Sequence, residues 1–259
     1  MPKQSSLLAR VWPAAVAVGS LLIAWQLYVD LSGLSPTLLP SPARIAQQAW
    51  IHRQALLDNT VPTVRATLLG FSCSLTAAFL LSAVMDFSRP LRRALFPVFI
   101  ISQTLPLVAI APLVVLWFGF GLMPKIMLVA LVTFFPMLVA LVQGYEATEQ
   151  EISLLLRAMG ASRWRAFRLA RLPSALPFFF AGLRVSITYA VVGAIFAEYS
   201  GAARGLGIYI LNAKNNFRPD LVLAAVAVSA TLTLVLFGMT ALIERFAMPW
   251  MRFEREAPR

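Results

Sequence analysis

Between Ile126 and Tyr145 the chain reads IMLVALVTFFPMLVALVQGY, twenty residues without a charge. An α-helix rises about 1.5 Å per residue, so about 20 apolar residues cross the roughly 30 Å hydrocarbon core of a bilayer. Working outward, similar runs cover about 11–29, 66–85, 95–118, 178–197 and 221–243. The third belongs to an uncharged stretch, Ala94–Pro124, too long for one span, so it includes a following loop. None alternates polar and apolar residues over short segments, so these are helices and not barrel strands. The expected fold is all-α: a polytopic membrane protein of about six transmembrane helices, with 1–259 forming a single transmembrane domain.

Composition agrees: 59% of residues are hydrophobic and 13% charged, against roughly a quarter charged in soluble domains. The net charge of +11 does not point to nucleic acid, because the basic residues fall between apolar runs and form no stripe. Cys73 stands alone, which excludes an intramolecular disulfide and a thiolate metal cluster, and no metal or cofactor site is expected. The first run is longer than a signal-peptide core and has no clear small-x-small cleavage site, so it reads as a retained span. With the N-terminus inside, the inner segments carry fourteen Lys and Arg and the outer segments six. The positive-inside rule then predicts that both termini are cytoplasmic.

The largest inner loop, about 146–177, is more than a connector. Glu146, Glu149 and Glu151 open it, Ile152–Leu156 is apolar, and Arg163–Arg171 is basic and aromatic. Acids early and bases late suit helix dipoles, and Gly160-Ala161-Ser162 reads as a break between two short helices. Leu154, Leu155 and Leu156 need a cover: either the membrane surface or another protein.

Here the sequence resembles the permeases of binding-protein-dependent ATP-binding-cassette importers. Their cytoplasmic loop carries Glu-Ala-Ala, three residues, Gly, nine residues, then Ile-x-Leu-Pro. Gly160 and Ala170-Arg171-Leu172-Pro173 keep that spacing, while Leu154-Leu155-Leu156 occupies the Glu-Ala-Ala positions and Ala170 replaces isoleucine. The nitrate, sulfonate and taurine branch is similar in further blocks. These are Leu105-Pro106 through Ala111-Pro112-Leu113 to Trp117-Phe118-Gly119-Phe120-Gly121, Leu172 to Pro177 with Gly182-Leu183-Arg184, Ala197-Glu198 with Gly205-Leu206-Gly207, and Pro249-Trp250. The resemblance implies the type I importer permease fold, a homodimer in the bacterial inner membrane, two copies of a separate ATPase subunit and an extracytoplasmic binding protein. It also implies an ATPase-coupling element at Leu154, Leu155, Leu156, Met159, Gly160, Ala161 and Ser162. The chain has no Walker loop of its own. The solutes implied are nitrate, sulfonate or taurine, while Glu198-Tyr199 and Gly207-Ile208-Tyr209 are similar to carriers of pyrimidine precursors or riboflavin.

Polar groups in or beside the spans are candidates for the path or its gate: Gln103, Thr104, Gln143, Tyr189 and Glu198, with Ser186 and Thr188 nearby. Such residues equally serve helix-to-helix hydrogen bonds. Glu198 is expected to be an ion-pair or hydrogen-bond anchor, with Arg204 as its candidate partner, ahead of a solute contact. Arg184, charged and inside an apolar run, is a functional candidate by position, but its reach favours snorkelling to the interface. Pro106 and Pro112 interrupt the helical ladder, either to open carbonyls to a cavity or as packing kinks. His52 reads as a solvated residue. A membrane-embedded enzyme acting on lipid or an isoprenoid group is the alternative, but the carboxylates Asp30, Asp58, Asp86, Glu198 and Asp220 are scattered and no catalytic set is expected. An ion-coupled transporter would need mid-membrane charges or an inverted repeat, and neither is evident.

Overall fold

The computed structural model describes residues 7–249; Lys3, Trp250, Arg252, Arg255 and Arg259, used above for orientation and motif matching, lie outside them. The described residues form helices α1 (Leu7–Ser32), α2 (Pro42–Ile51), α3 (Arg53–Phe87), α4 (Arg89–Ser102), α5 (Leu107–Phe118), α6 (Leu122–Glu146), α7 (Gln150–Ala158), α8 (Arg163–Ala166), α9 (Leu172–Tyr199), α10 (Leu206–Asn215) and α11 (Pro219–Ala247). A π-helical turn, Phe167–Arg171, joins α8 to α9. Five helical segments are long and apolar enough to cross a membrane, and the pair α4 and α5 makes a sixth if counted together.

Contacts group the described chain into two units, Met1–Leu57 with Tyr209–Val228, and Asp58–Ile208 with Ser229–Arg259. In the first, Gln26 of α1 accepts a hydrogen bond from the Ala43 N–H at 3.1 Å and donates to Asp30. Arg218 donates to Gln48 and to Asp220, and Arg44 lies 3.4 Å from the same carboxylate. From Trp12 to Ser32 almost all of α1 is exposed and mostly apolar, the surface expected of a helix solvated by lipid tails.

The second unit is built on the pairing of α6 with α9. In lipid, helix association relies on close packing and buried hydrogen bonds, so small residues gather at the contact. A Cβ on Gly182 would stand 2.5 Å from Ala140 Cβ, and one on Gly144 would stand 2.7 Å from Ala175 Cα. Buried Ser186 donates to the Thr133 carbonyl at 3.0 Å, tying the two helices together. Leu138, Leu141, Ala175, Phe180 and Ile187 fill the core around this seam. Arg184 pairs with Glu244 of α11, so the charge inside the apolar run has a carboxylate partner beside it.

The apolar run at 94–124 is two helices. α4 and α5 meet at 102° across a break at residues 103–106. Pro106 has no N–H to extend α4 and disfavours helical geometry at Leu105. Thr104 closes the end of α4, its backbone N–H and its hydroxyl both donating to the Ile101 carbonyl.

Candidate functional site: a cavity, a buried knot and a coupling segment

The break between α4 and α5 leaves a cavity of about 240 Å³ whose wall includes Ser102, Gln103, Leu131, Phe135, Pro136 and Tyr189. No charged side chain lines it. The Ser102 hydroxyl donates to the Phe99 carbonyl at 2.8 Å. The side chains of Gln103 and Tyr189 have no hydrogen-bond partner among the described residues, and both residues are exposed. Two uncommitted polar groups beside an aromatic ring can orient a solute, while the apolar wall covers its faces.

The structure therefore brings two of the five path candidates together. Thr104 adjoins the break, but its hydroxyl is engaged in closing α4. Gln143 is exposed near the far end of α6, eighteen residues or about 27 Å of helix from Lys125 at the near end. Ser186 and Thr188 are bonded to carbonyls of Thr133 and Arg184.

Glu198 lies elsewhere, fully buried at the end of α9. Thr63 Oγ1 is 2.9 Å from its Oε1, Lys125 Nζ is 3.3 Å from the same oxygen, and the Gly207 N–H donates to Oε2 at 2.8 Å. Around this carboxylate the loop between α9 and α10 is tied down. The Leu206 N–H donates to Thr63 Oγ1, the Gly205 N–H to Asn59 Oδ1, and Lys125 to the Arg204 carbonyl. Glu198 thus pairs with Lys125, and Arg204 contributes its backbone instead of its charge. A Cβ on Gly205, where φ is +144°, would stand 2.1 Å from Glu198 Cδ. The Ala-Glu and Gly-Leu-Gly blocks are two halves of one knot. Sequence reasoning missed Asn59, Thr63 and Lys125; the Gly205 and Gly207 spacing was the available signal that something packs closely there.

At the other end of the unit, α7 carries Ile152, Leu154 and Leu155 exposed, with Met159 just beyond it, 74% exposed. Leu156 is half-buried. The helix ends as the glycine requires: Gly160 has φ +76° and its N–H donates to the Arg157 carbonyl, while the Ala161 N–H donates to Leu156. Ser162 then caps α8, its hydroxyl accepting from the Arg165 N–H at 3.2 Å. The segment after Gly160 is clamped from below. Phe167 packs against Phe87, Tyr145 and Trp164 with ring centroids 5.3, 5.3 and 5.8 Å away, and Arg171 pairs with Asp86.

Comparison with solved transporters places this helical arrangement. It is similar to a chain of the MetNI methionine ABC transporter in an inward-facing conformation, with TM-score 0.61 and 17% identity over 77% of this chain and 97% of that one. A chain of an amino acid ABC transporter gives TM-score 0.63 and 16% identity over the same shares. These likenesses establish the type I importer permease fold.

Residues 70–248 match the model of the family described as binding-protein-dependent transport system inner membrane component, and the chain belongs to that family. It is 37% identical over 254 residues to the riboflavin transport system permease protein RibX of Chloroflexus aurantiacus, covering 96% of this chain and 95% of that protein. It is 32% identical to the formylaminopyrimidine transport permease protein ThiX of Halalkalibacterium halodurans, covering 90% and 93%. It is 30% identical to the taurine transport system permease protein TauC of Escherichia coli, covering 92% of each. The chain is therefore a multi-pass inner-membrane permease of an ABC importer for a small solute; a lipid- or isoprenoid-modifying enzyme finds no support among these relatives.

Proposed function

We propose that this permease carries an uncharged or weakly charged heterocyclic solute, of the flavin or pyrimidine-precursor kind, through a path that includes the Gln103 and Tyr189 cavity. The observation that supports it is the lining: an amide, a phenol and the Phe135 ring, with no cation to hold a sulfonate or nitrate. A buried anion needs charge-assisted donors, whereas a flat heteroaromatic ring needs stacking surface and a few hydrogen bonds at its edge. The relatives named for riboflavin and formylaminopyrimidine are 37% and 32% identical, and the one named for nitrate import is 23% identical.

In this reading two copies of the chain form the membrane unit, both termini are cytoplasmic, and α7 of each docks on an ATPase subunit through Leu154, Leu155 and Met159. An extracytoplasmic binding protein delivers the solute. The test is ATP hydrolysis by the complex in proteoliposomes with its binding protein present. Formylaminopyrimidine or riboflavin should stimulate it and taurine should not; stimulation by taurine or nitrate alone would overturn the solute assignment.

A further inference from the structure

Beside the coupling segment lies a second concavity, of about 440 Å³, that the transport reading does not use. Its wall includes Asp86, Ser88, Arg89, Arg157, Arg163 and Arg171. Asp86, the one carboxylate there, is taken by Arg171. Arg89, Arg157 and Arg163 form no ion pair with any described residue. The Ser88 hydroxyl makes no capping bond to α4. Three guanidinium groups converging on one cleft repel each other unless an anion sits among them.

Where the cleft lies suggests which anion. The apolar run of α3 closes at Met85 and its helix at Phe87, and Asp86 and Phe87 both line the cleft, so the cleft sits at the end of that membrane-length helix. Lipid headgroups lie where an apolar span of this length ends. Trp164 is 62% exposed and stacked 6.2 Å from Phe87, and an exposed tryptophan is a residue enriched at the bilayer interface. None of the exposed leucines of α7 lines the cleft, but Arg157 and Ala161 do, so it adjoins the segment offered for ATPase docking and the experiment includes the ATPase subunits.

We infer that this arginine cleft binds the phosphate headgroup of an anionic phospholipid, with Arg89 and Arg163 as the principal contacts and Trp164 lying against its glycerol and upper acyl region. The inner leaflet is the source if both termini are cytoplasmic, but binding itself does not depend on transport, so it is measured apart from it.

The experiment is native mass spectrometry of the full chain, alone and with its ATPase subunits, in mild detergent with equal amounts of dioleoyl phosphatidylglycerol and dioleoyl phosphatidylcholine. Phosphatidylglycerol should be retained preferentially, and Arg89→Gln with Arg163→Gln should lower that retention about tenfold or more. The charge-conserving pair Arg89→Lys and Arg163→Lys should keep most of it. So that misfolding of the neutral pair does not decide the result, the wild-type chain is also challenged with a photoreactive phosphatidylglycerol, whose crosslinks should fall in 86–90 and 157–166. Equal retention of both lipids, or crosslinks confined to other segments, overturns the site. Displacement by millimolar inorganic phosphate reassigns it to a soluble anion. Loss of ATPase association with lipid retention unchanged reassigns the arginines to that partner.

Discussion

The knot around Glu198 and the segment around α7 are opposites in how they spend their chemistry. In the knot, charge, hydroxyl and three backbone N–H groups are paired within one chain and largely withdrawn from solvent. In α7 the backbone is satisfied, but Leu154, Leu155 and Met159 stay exposed. The first region is complete; the second leaves an apolar face uncovered. Polar content alone would have suggested the reverse, since a buried carboxylate invites a functional reading and three leucines invite a structural one.

The comparison breaks first at α7. Leu155→Asp and Gly160→Val should leave the protein inserted in the membrane yet remove ATPase co-purification and solute-stimulated hydrolysis. An apolar side chain fully buried at an interface is worth about 1.5 to 3 kcal/mol, and a bulky residue at positive φ costs about 1 kcal/mol or more. Unchanged association in both variants would return the leucines to the membrane surface.

Next in size is the knot. Glu198→Ala strands the Lys125 ammonium, and removing one partner of a buried pair costs about 3 to 5 kcal/mol. Thermal unfolding in detergent should fall sharply, whereas the double change Lys125→Met with Glu198→Leu should recover part of the loss. Equal destabilisation by both would show that the backbone contacts, and not the charge pair, hold the loop.

Sidedness sharpens the contrast without changing stability. With Cys73→Ser as background, a cysteine at Ala203, in the exposed loop after α9, should react with an impermeant thiol reagent in intact cells, and one at Ser162 should not. Labelling at 162 would reverse the assigned orientation. The smallest effect is expected in the cavity: Gln103→Ala or Tyr189→Phe removes one hydrogen bond, about 0.5 to 1.5 kcal/mol, so half-saturating solute should rise a few-fold with basal hydrolysis kept. No change in either would place the path elsewhere.

The membrane helices were legible because hydropathy is a local property, and the helix ends were less so because they are polar. α3 begins at Arg53, well before the apolar run at 66, since Asp58, Asn59 and Arg65 lower the hydropathy of a segment that is nonetheless helical. The break at 103–106 was hidden inside an uncharged stretch, where only Pro106 marked it. Gly160 could be read directly because positive φ and a capping serine are written in adjacent residues. The Lys125 pairing with Glu198 could not, as 73 residues separate the partners. Arg204 looked the better partner only because it is near in sequence.

The knot grips residues 204–207 by their peptide groups, and of their side chains it buries only that of Leu206. Mutational drift there should consequently be lopsided. Arg204, Ala203 and Ala202 can be exchanged for most residues at little cost, while Gly205 and Gly207 tolerate none and the fully buried Leu206 only apolar residues of similar size, so a saturation library over 202–207 would survive at its first three positions and fail at its last three.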